Sequence, residues 1–124
     1  FIADNGIRFS LSFGPILVED GKALRVKNPY CVGESGDPNP RAALCQKGEL
    51  HYLLVLCNAQ YPYMNTQLLQ TFANTLETFG VEKAYNLDGG RSGALIMNGE
   101  LVNNIYERQI SDIIYFATAY SNGE

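Results

Sequence analysis

The chain has 124 residues, 46% of them hydrophobic and 18% charged, the size and balance of one globular domain with enough apolar material for a core. Nine basic residues against 13 acidic ones give a net charge of −4 with no basic cluster, which excludes the electrostatic footprint of a nucleic-acid binder. No apolar run approaches the roughly 18–20 residues that cross a bilayer, and the first residues are not a basic stretch followed by an apolar one, so neither a transmembrane segment nor a signal segment is expected in this chain.

Arg8 to Phe13 alternates with Phe9, Leu11 and Phe13 on one face, which predicts a strand ending where Gly14-Pro15 breaks the ladder. Ile16-Leu17-Val18 resumes as a strand, Glu19-Asp20-Gly21-Lys22 signals a turn, and Ala23 to Val26 reads as the returning strand of a β-meander. From Lys27 to Asn39 the composition shifts to Asn, Pro, Gly, Ser and Asp, which predicts a surface loop. It is long for an idle connection, and long loops in compact domains often carry function. Arg41 stands at its exit, before Ala42 and Ala43 open the next strand. An arginine there is either solvated or a planar fork for a phosphate or carboxylate.

Gly48 turns the chain into His51 to Cys57, whose near-continuous apolar run predicts a central strand covered on both faces. Asn58-Ala59-Gln60 and Tyr61-Pro62-Tyr63 follow; the tyrosines serve either loop packing or a platform for a sugar ring. Leu68, Leu69, Phe72, Ala73, Leu76 and Phe79 recur at helical spacing, so an amphipathic helix is expected from about Thr66 to Phe79, stopped by Gly80. A helix between two apolar strands makes a β-α-β unit. That topology puts the turn after the second strand at the carboxyl edge of the sheet, where ligands tend to bind.

That turn is Asn86-Leu87-Asp88-Gly89-Gly90-Arg91-Ser92, where a carboxylate meets two glycines able to take positive φ and aim consecutive backbone N–H groups at an oxygen anion. Asp-Gly is also among the commonest ways to join two strands with no chemistry at all. The polar company of Asn86, Arg91 and Ser92 is more than such a turn needs. Beyond it, Asn98-Gly99 between Leu95-Ile96-Met97 and Leu101-Val102 is the strongest hairpin signal in the chain, and Ile110 to Phe116, preceded by Arg108, reads as a strand closing the sheet. Cys31, Cys45 and Cys57 are odd in number and lack CxxC spacing, which argues against a disulfide framework or a zinc site; a Cys31–Cys45 bridge stays open with nothing in its favour, and Cys57 reads as a small buried hydrophobe. His51, the single histidine, opens a strand and makes a poor triad member.

Four ordered stretches carry a family resemblance. They are Phe13-Gly14-Pro15-Ile16-Leu17-Val18 through Asp20-Gly21-Lys22; Asn39-Pro40-Arg41-Ala42-Ala43; Tyr85 to Ser92; and, after the hairpin, Arg108-Gln109-Ile110-Ser111-Asp112-Ile113-Ile114-Tyr115. Together they resemble the C-terminal part of the phosphodiester glycosidase domain, a family that includes the lysosomal uncovering enzyme and bacterial envelope and exopolysaccharide-associated proteins. The resemblance implies a single α+β domain over residues 1–124, with a mixed sheet, hairpins and one main amphipathic helix, lacking the N-terminal part of the family domain and able to associate with it.

The implied chemistry is hydrolysis of a sugar 1-phosphodiester at its glycosidic bond. Asp88 is then the catalytic candidate, with Arg41, Asn86, Gly89, Gly90, Arg91, Ser92 and Asn58 on the substrate or its phosphate. A carbohydrate or sugar phosphate is the implied ligand, and an extracellular or envelope location the implied setting. No cofactor is certain; a divalent cation beside Asp88 is open, although one carboxylate does not make a metal site. The chain also departs from the family. Asn58-Ala59-Gln60 stands where an Asp-Gly-Arg turn is usual, Arg91 replaces a third glycine, and the family's upstream Asn-Gly-Gly-Phe-Phe segment has no counterpart. Those departures keep two rivals alongside the enzyme, a non-catalytic glycan-binding module and a structural piece of a larger envelope protein.

Overall fold

A computed structural model describes residues 3–27, 36–57, 59–60, 63–64, 68–103 and 109–117. Its elements in chain order are β1 (Ile16–Glu19), β2 (Lys22–Ala23), β3 (Arg41–Gly48), β4 (His51–Cys57), β5 (Ala59–Gln60), β6 (Tyr63–Met64), α1 (Leu69–Thr78), β7 (Lys83–Leu87), β8 (Ile96–Met97) and β9 (Glu100–Leu101). The main sheet has the order β2-β1-β7-β3-β4, and two small hairpins, β5-β6 and β8-β9, stand apart from it. This is the expected α+β architecture with hairpins and one main helix.

Each neighbouring pair in the main sheet is antiparallel. Because β3 runs against both β4 and β7, those two strands point the same way, and α1 is the crossover that carries the chain over β3 from one to the other. The carboxyl ends of β4 and β7 therefore meet the amino end of β3 at one end of the sheet. The core lies on the α1 side, where Leu69, Phe72, Ala73 and Leu76 pack over Leu17, Val18, Ala43, Cys45 and Ala84. The expected apolar spacing forms the helix, although Leu69 rather than about Thr66 opens it; residues 65–67 lie outside the described ones. Gly80 at φ 66° stops it, as expected.

Four expectations change. Residues 7–13 form no strand, and Phe9 at 88% exposure has no core to alternate against. The returning strand after Gly21 is cut to Lys22–Ala23; Leu24 N–H still donates to the Leu17 carbonyl (2.8 Å), and helix side chains hold the rest of the segment. Ala23 N–H donates to Glu77 Oε2 (2.9 Å), Val26 N–H to Gln70 Oε1 (2.8 Å), and Gln70 Nε2 to the Leu24 carbonyl (3.1 Å). The run 51–57 is an edge strand, not a central one, with Tyr52 and Leu54 exposed on the face away from α1.

Ile110 to Phe116 does not close the sheet either. Residues 109–117 belong to no strand, and Ile113 and Tyr115 are exposed; Phe116 touches the sheet through Tyr52, ring centres 5.8 Å apart. The Asn98-Gly99 hairpin forms as expected, both residues taking positive φ (52° and 82°) as a tight two-residue connection requires. Cys45 and Cys57 carry free thiols. Among the described residues no helix is long and apolar enough to cross a membrane.

Candidate functional site

The site begins from strand register. Ala42 pairs with Leu87, and the paired strands run oppositely, so Arg41 at the start of β3 lies beside Asp88 just past the end of β7. On its other flank Arg41 pairs with Cys57, the last residue of β4. Alternation along a strand then puts Arg41, Ala43, Cys57, Val55, Ala84 and Asn86 on one face, the face that α1 covers. Two motifs 47 positions apart in the sequence, counting from Arg41 to Asp88, thus become neighbours.

Close backbone approach holds them together. A Cβ built on Gly89 would stand 2.3 Å from the Pro40 carbonyl oxygen and 3.0 Å from Arg41 Cα, so only glycine lets the turn lie against the start of β3. Gly90 adopts φ 55°, has open space around it, and donates its N–H to the Pro40 carbonyl (3.1 Å). Ser92 N–H closes onto the Gly89 carbonyl (2.9 Å), winding Gly90–Ser92 into one 3₁₀ turn. Both N–H groups are thereby spent inside the protein. Gly89 itself has φ −110°, so its requirement comes from proximity and not from a left-handed backbone.

The side chains divide into inward and outward sets. Asp88 and Arg91 are exposed, and Ser92 is half-buried. Arg41 is only 7% exposed and its Nη2 donates to the Asp37 carbonyl (2.7 Å), which anchors the loop ahead of β3 to the sheet. Asn86 is 2% exposed and donates its amide Nδ2 to the Gly14 carbonyl (2.8 Å), so it faces the N-terminal segment and not solvent. Asn58, Tyr61 and Arg108 lie outside the described residues.

Cys57 and Asp37 are members of this sheet end that residue-type reasoning did not single out. The signal for Cys57 was its position one strand across from Arg41, visible only once β3 and β4 are in register. Burial raises its thiol pKa, opposed by the Arg41 backbone N–H and by the Arg41 charge. Among the described residues no three His, Cys, Asp or Glu side chains gather closely enough to hold a metal ion. Two hollows of about 460 and 310 Å³ lie elsewhere, on the face away from α1 around Leu54, Ile96 and Phe116 and around Ile16, Leu44 and Tyr85; neither is lined by Asp88 or Arg41. Both are open and mostly apolar, with His51 beside the first and Glu19, Gln46 and Lys83 beside the second, and they lie apart from the Asp88 edge.

A family model described as phosphodiester glycosidase matches residues 2–117. Among solved structures, the crystal structure of a hypothetical protein from Synechocystis aligns with a TM-score of 0.69 and 24% identity over 83% of this chain, a likeness of fold alone. The chain spans 19% of the length of that protein. No curated protein matches it.

Proposed function

Because this chain belongs to the phosphodiester glycosidase family, we propose that it takes part in hydrolysis of a sugar 1-phosphodiester, with Asp88 as the reacting carboxylate and the Arg41 end of β3 facing the phosphate. The observation that carries the reading is the register that sets Asp88 beside Arg41, with Gly89 seated on the Pro40–Arg41 backbone. In that reaction the bond from the anomeric carbon to the phosphate oxygen breaks. Water supplies a hydroxyl to the sugar and gives its proton to the Asp88 carboxylate, which passes it on to solvent, and the phosphomonoester leaves as an anion. A leaving phosphate needs positive charge more than it needs a proton, so one carboxylate acting on water beside a guanidinium is a chemically sufficient pair.

The ligand on this reading is a sugar phosphate, and the envelope, where such polymers occur, is the setting. The rival reading is a non-catalytic glycan- or phosphoglycan-binding module, favoured by Asn58-Ala59-Gln60 in place of an acidic and basic turn and by the internal use of the Gly90 N–H. Calorimetry with a sugar 1-phosphate and a phosphodiester hydrolysis assay on the full-length protein separate the two. The enzyme reading expects Asp88→Asn to abolish turnover with binding nearly intact, and Arg41→Ala to weaken binding by the ~1.5–3 kcal/mol of a charged hydrogen bond. Binding without turnover in the unmutated protein, tightened by Asp88→Asn, selects the binding module. Neither binding nor turnover rejects both.

A further inference from the structure

Asn86 has a chemical oddity that the reaction does not use. It is almost fully buried on the face where its neighbours Ala43 and Ala84 are small and apolar, yet it carries an amide whose Oδ1 has no hydrogen-bond partner among the described residues. A buried acceptor left unmet costs stability, so a side chain kept here only for packing would be apolar. What Asn86 does instead is hold the N-terminal segment. Its backbone carbonyl accepts from Gly14 N–H (3.1 Å), its N–H donates to the Pro15 carbonyl (3.1 Å), and its Nδ2 donates to the Gly14 carbonyl (2.8 Å). One residue earlier, the Tyr85 hydroxyl accepts from Phe13 N–H (3.1 Å).

These bonds start where the ordinary ladder fails. The β1–β7 pairing is irregular between Ile16 and Val18 and reaches no further than Ile16 opposite Tyr85. Beyond that point Phe13 to Pro15 belongs to no strand, and Asn86 adds its side-chain amide to the two backbone bonds that remain. On the opposite flank Gly89 and Gly90 fasten the same stretch to Pro40. Exposed Asp88 lies between the two fastenings.

We propose that Asn86 is a positioning residue, a latch that ties the Gly14–Pro15 turn to the end of β7 and so sets the direction in which the chain leaves the sheet at Asp88. The catalytic consequence rests on the hydrolytic reading above; the geometric one does not. With the side-chain bond cut, that flank keeps only the two backbone bonds of Asn86 and the Tyr85 hydroxyl bond, a looser hold that lets the end of β7 shift about Gly89 and move Asp88 against Arg41. A displacement of that kind costs turnover far more than it costs binding.

Two variants of the full-length protein test this. Asn86→Leu keeps the branched outline at the cost of some added bulk and removes the donor. Asn86→Asp keeps the shape and donates to the Gly14 carbonyl only while its carboxyl is protonated, a state that burial favours. The titratable or charged groups on that face are Arg41 and Cys45 on β3, Cys57 on β4 and Asp88 beyond β7, while the buried side of α1 presents Leu69, Phe72, Ala73 and Leu76. Wild type measured at each pH removes their own titration from the comparison.

The readouts are the backbone amide resonances of Gly14, Gly89 and Gly90, and the split between kcat and KM on a sugar 1-phosphodiester. In N86L all three resonances move, and kcat falls about 10–100-fold with KM within about twofold. In N86D they return toward wild-type positions as pH is lowered from about 7 to about 4. If N86L does not fold, N86D at the two pH values supplies the same readout. Unmoved Gly89 and Gly90 resonances in either variant at neutral pH overturn the proposal whatever the activity, as does an N86D difference that ignores pH. A wild type that turns over nothing rejects the hydrolytic reading and leaves the resonances to decide the latch.

Discussion

Helix α1 and the turn after β7 are held in opposite ways. The helix is secured by bulk, since Leu69, Phe72, Ala73 and Leu76 enter the core and are at most 2% exposed. The turn is secured by the lack of bulk. Gly89 must have no side chain, Gly90 must have a left-handed backbone, and the hydrogen bonds that fasten both ends of the stretch run to Pro40, Gly14 and Pro15. Burial is non-directional and tolerates small shifts, whereas backbone contacts set position to fractions of an ångström. A fold can afford the first kind of bond anywhere, but a turn set beside the start of another strand, as the proposed site is, calls for the second.

If that contrast is right, the largest losses of stability belong to the helix. Phe72→Ala should cost about 3–5 kcal/mol and Leu76→Ala about 2–5 kcal/mol in denaturant unfolding, and a loss below about half a kcal/mol at either would mean bulk is not what secures α1. The same core should show in alkali. Burial pushes the Cys45 thiol from 9.0 up to about 11. Below pH 9 the thiol is protonated whether folded or not; above it the unfolded chain ionises first, so stability should fall by about 2–3 kcal/mol between pH 9 and 11. Cys45→Ala should flatten that limb of the profile, and an unchanged slope would remove Cys45 as its cause.

Changes in the turn should be smaller in stability and larger in geometry. Gly89→Ala forces the turn off Pro40 and should cost about 1–3 kcal/mol while separating Asp88 from Arg41, seen on the hydrolytic reading as lost turnover of a sugar 1-phosphodiester. Gly90→Ala meets no atom and bears only the cost of positive φ, about 1–2 kcal/mol, with turnover kept. Equal loss of turnover in both variants would show that close approach at Gly89 is not what sets the site. The smallest effect belongs to Glu77 on the exposed side of α1. The Ala23 N–H, and then Lys22, hold its carboxyl below the ordinary value. Its contribution is present above the unfolded pKa and is lost as pH falls through the folded one, so Glu77→Gln should make the acid limb slightly shallower, as acid titration of unfolding would show.

Much of this was legible in the residues. Apolar spacing marks α1, Asn98-Gly99 marks its hairpin, and a helix between two apolar runs implies that Asp88 emerges at a carboxyl edge, because each of these signals is local and repeats at a period the backbone imposes. The match to the phosphodiester glycosidase family over residues 2–117 is equally a property of the chain as written.

Tertiary structure decided the rest. An apolar run such as 51–57 looks the same at the centre of a sheet and at its edge, and only the order β2-β1-β7-β3-β4 makes it an edge. Ile110 to Phe116 has strand composition but no partner strand among the described residues. Gly89 reads as a glycine chosen for its φ until Pro40 is found against it, and Asn86 reads as a ligand-facing amide until its side chain is found on Gly14. In every such case the deciding atom comes from a distant part of the chain, and a contact with a remote residue leaves no period in the local sequence to read.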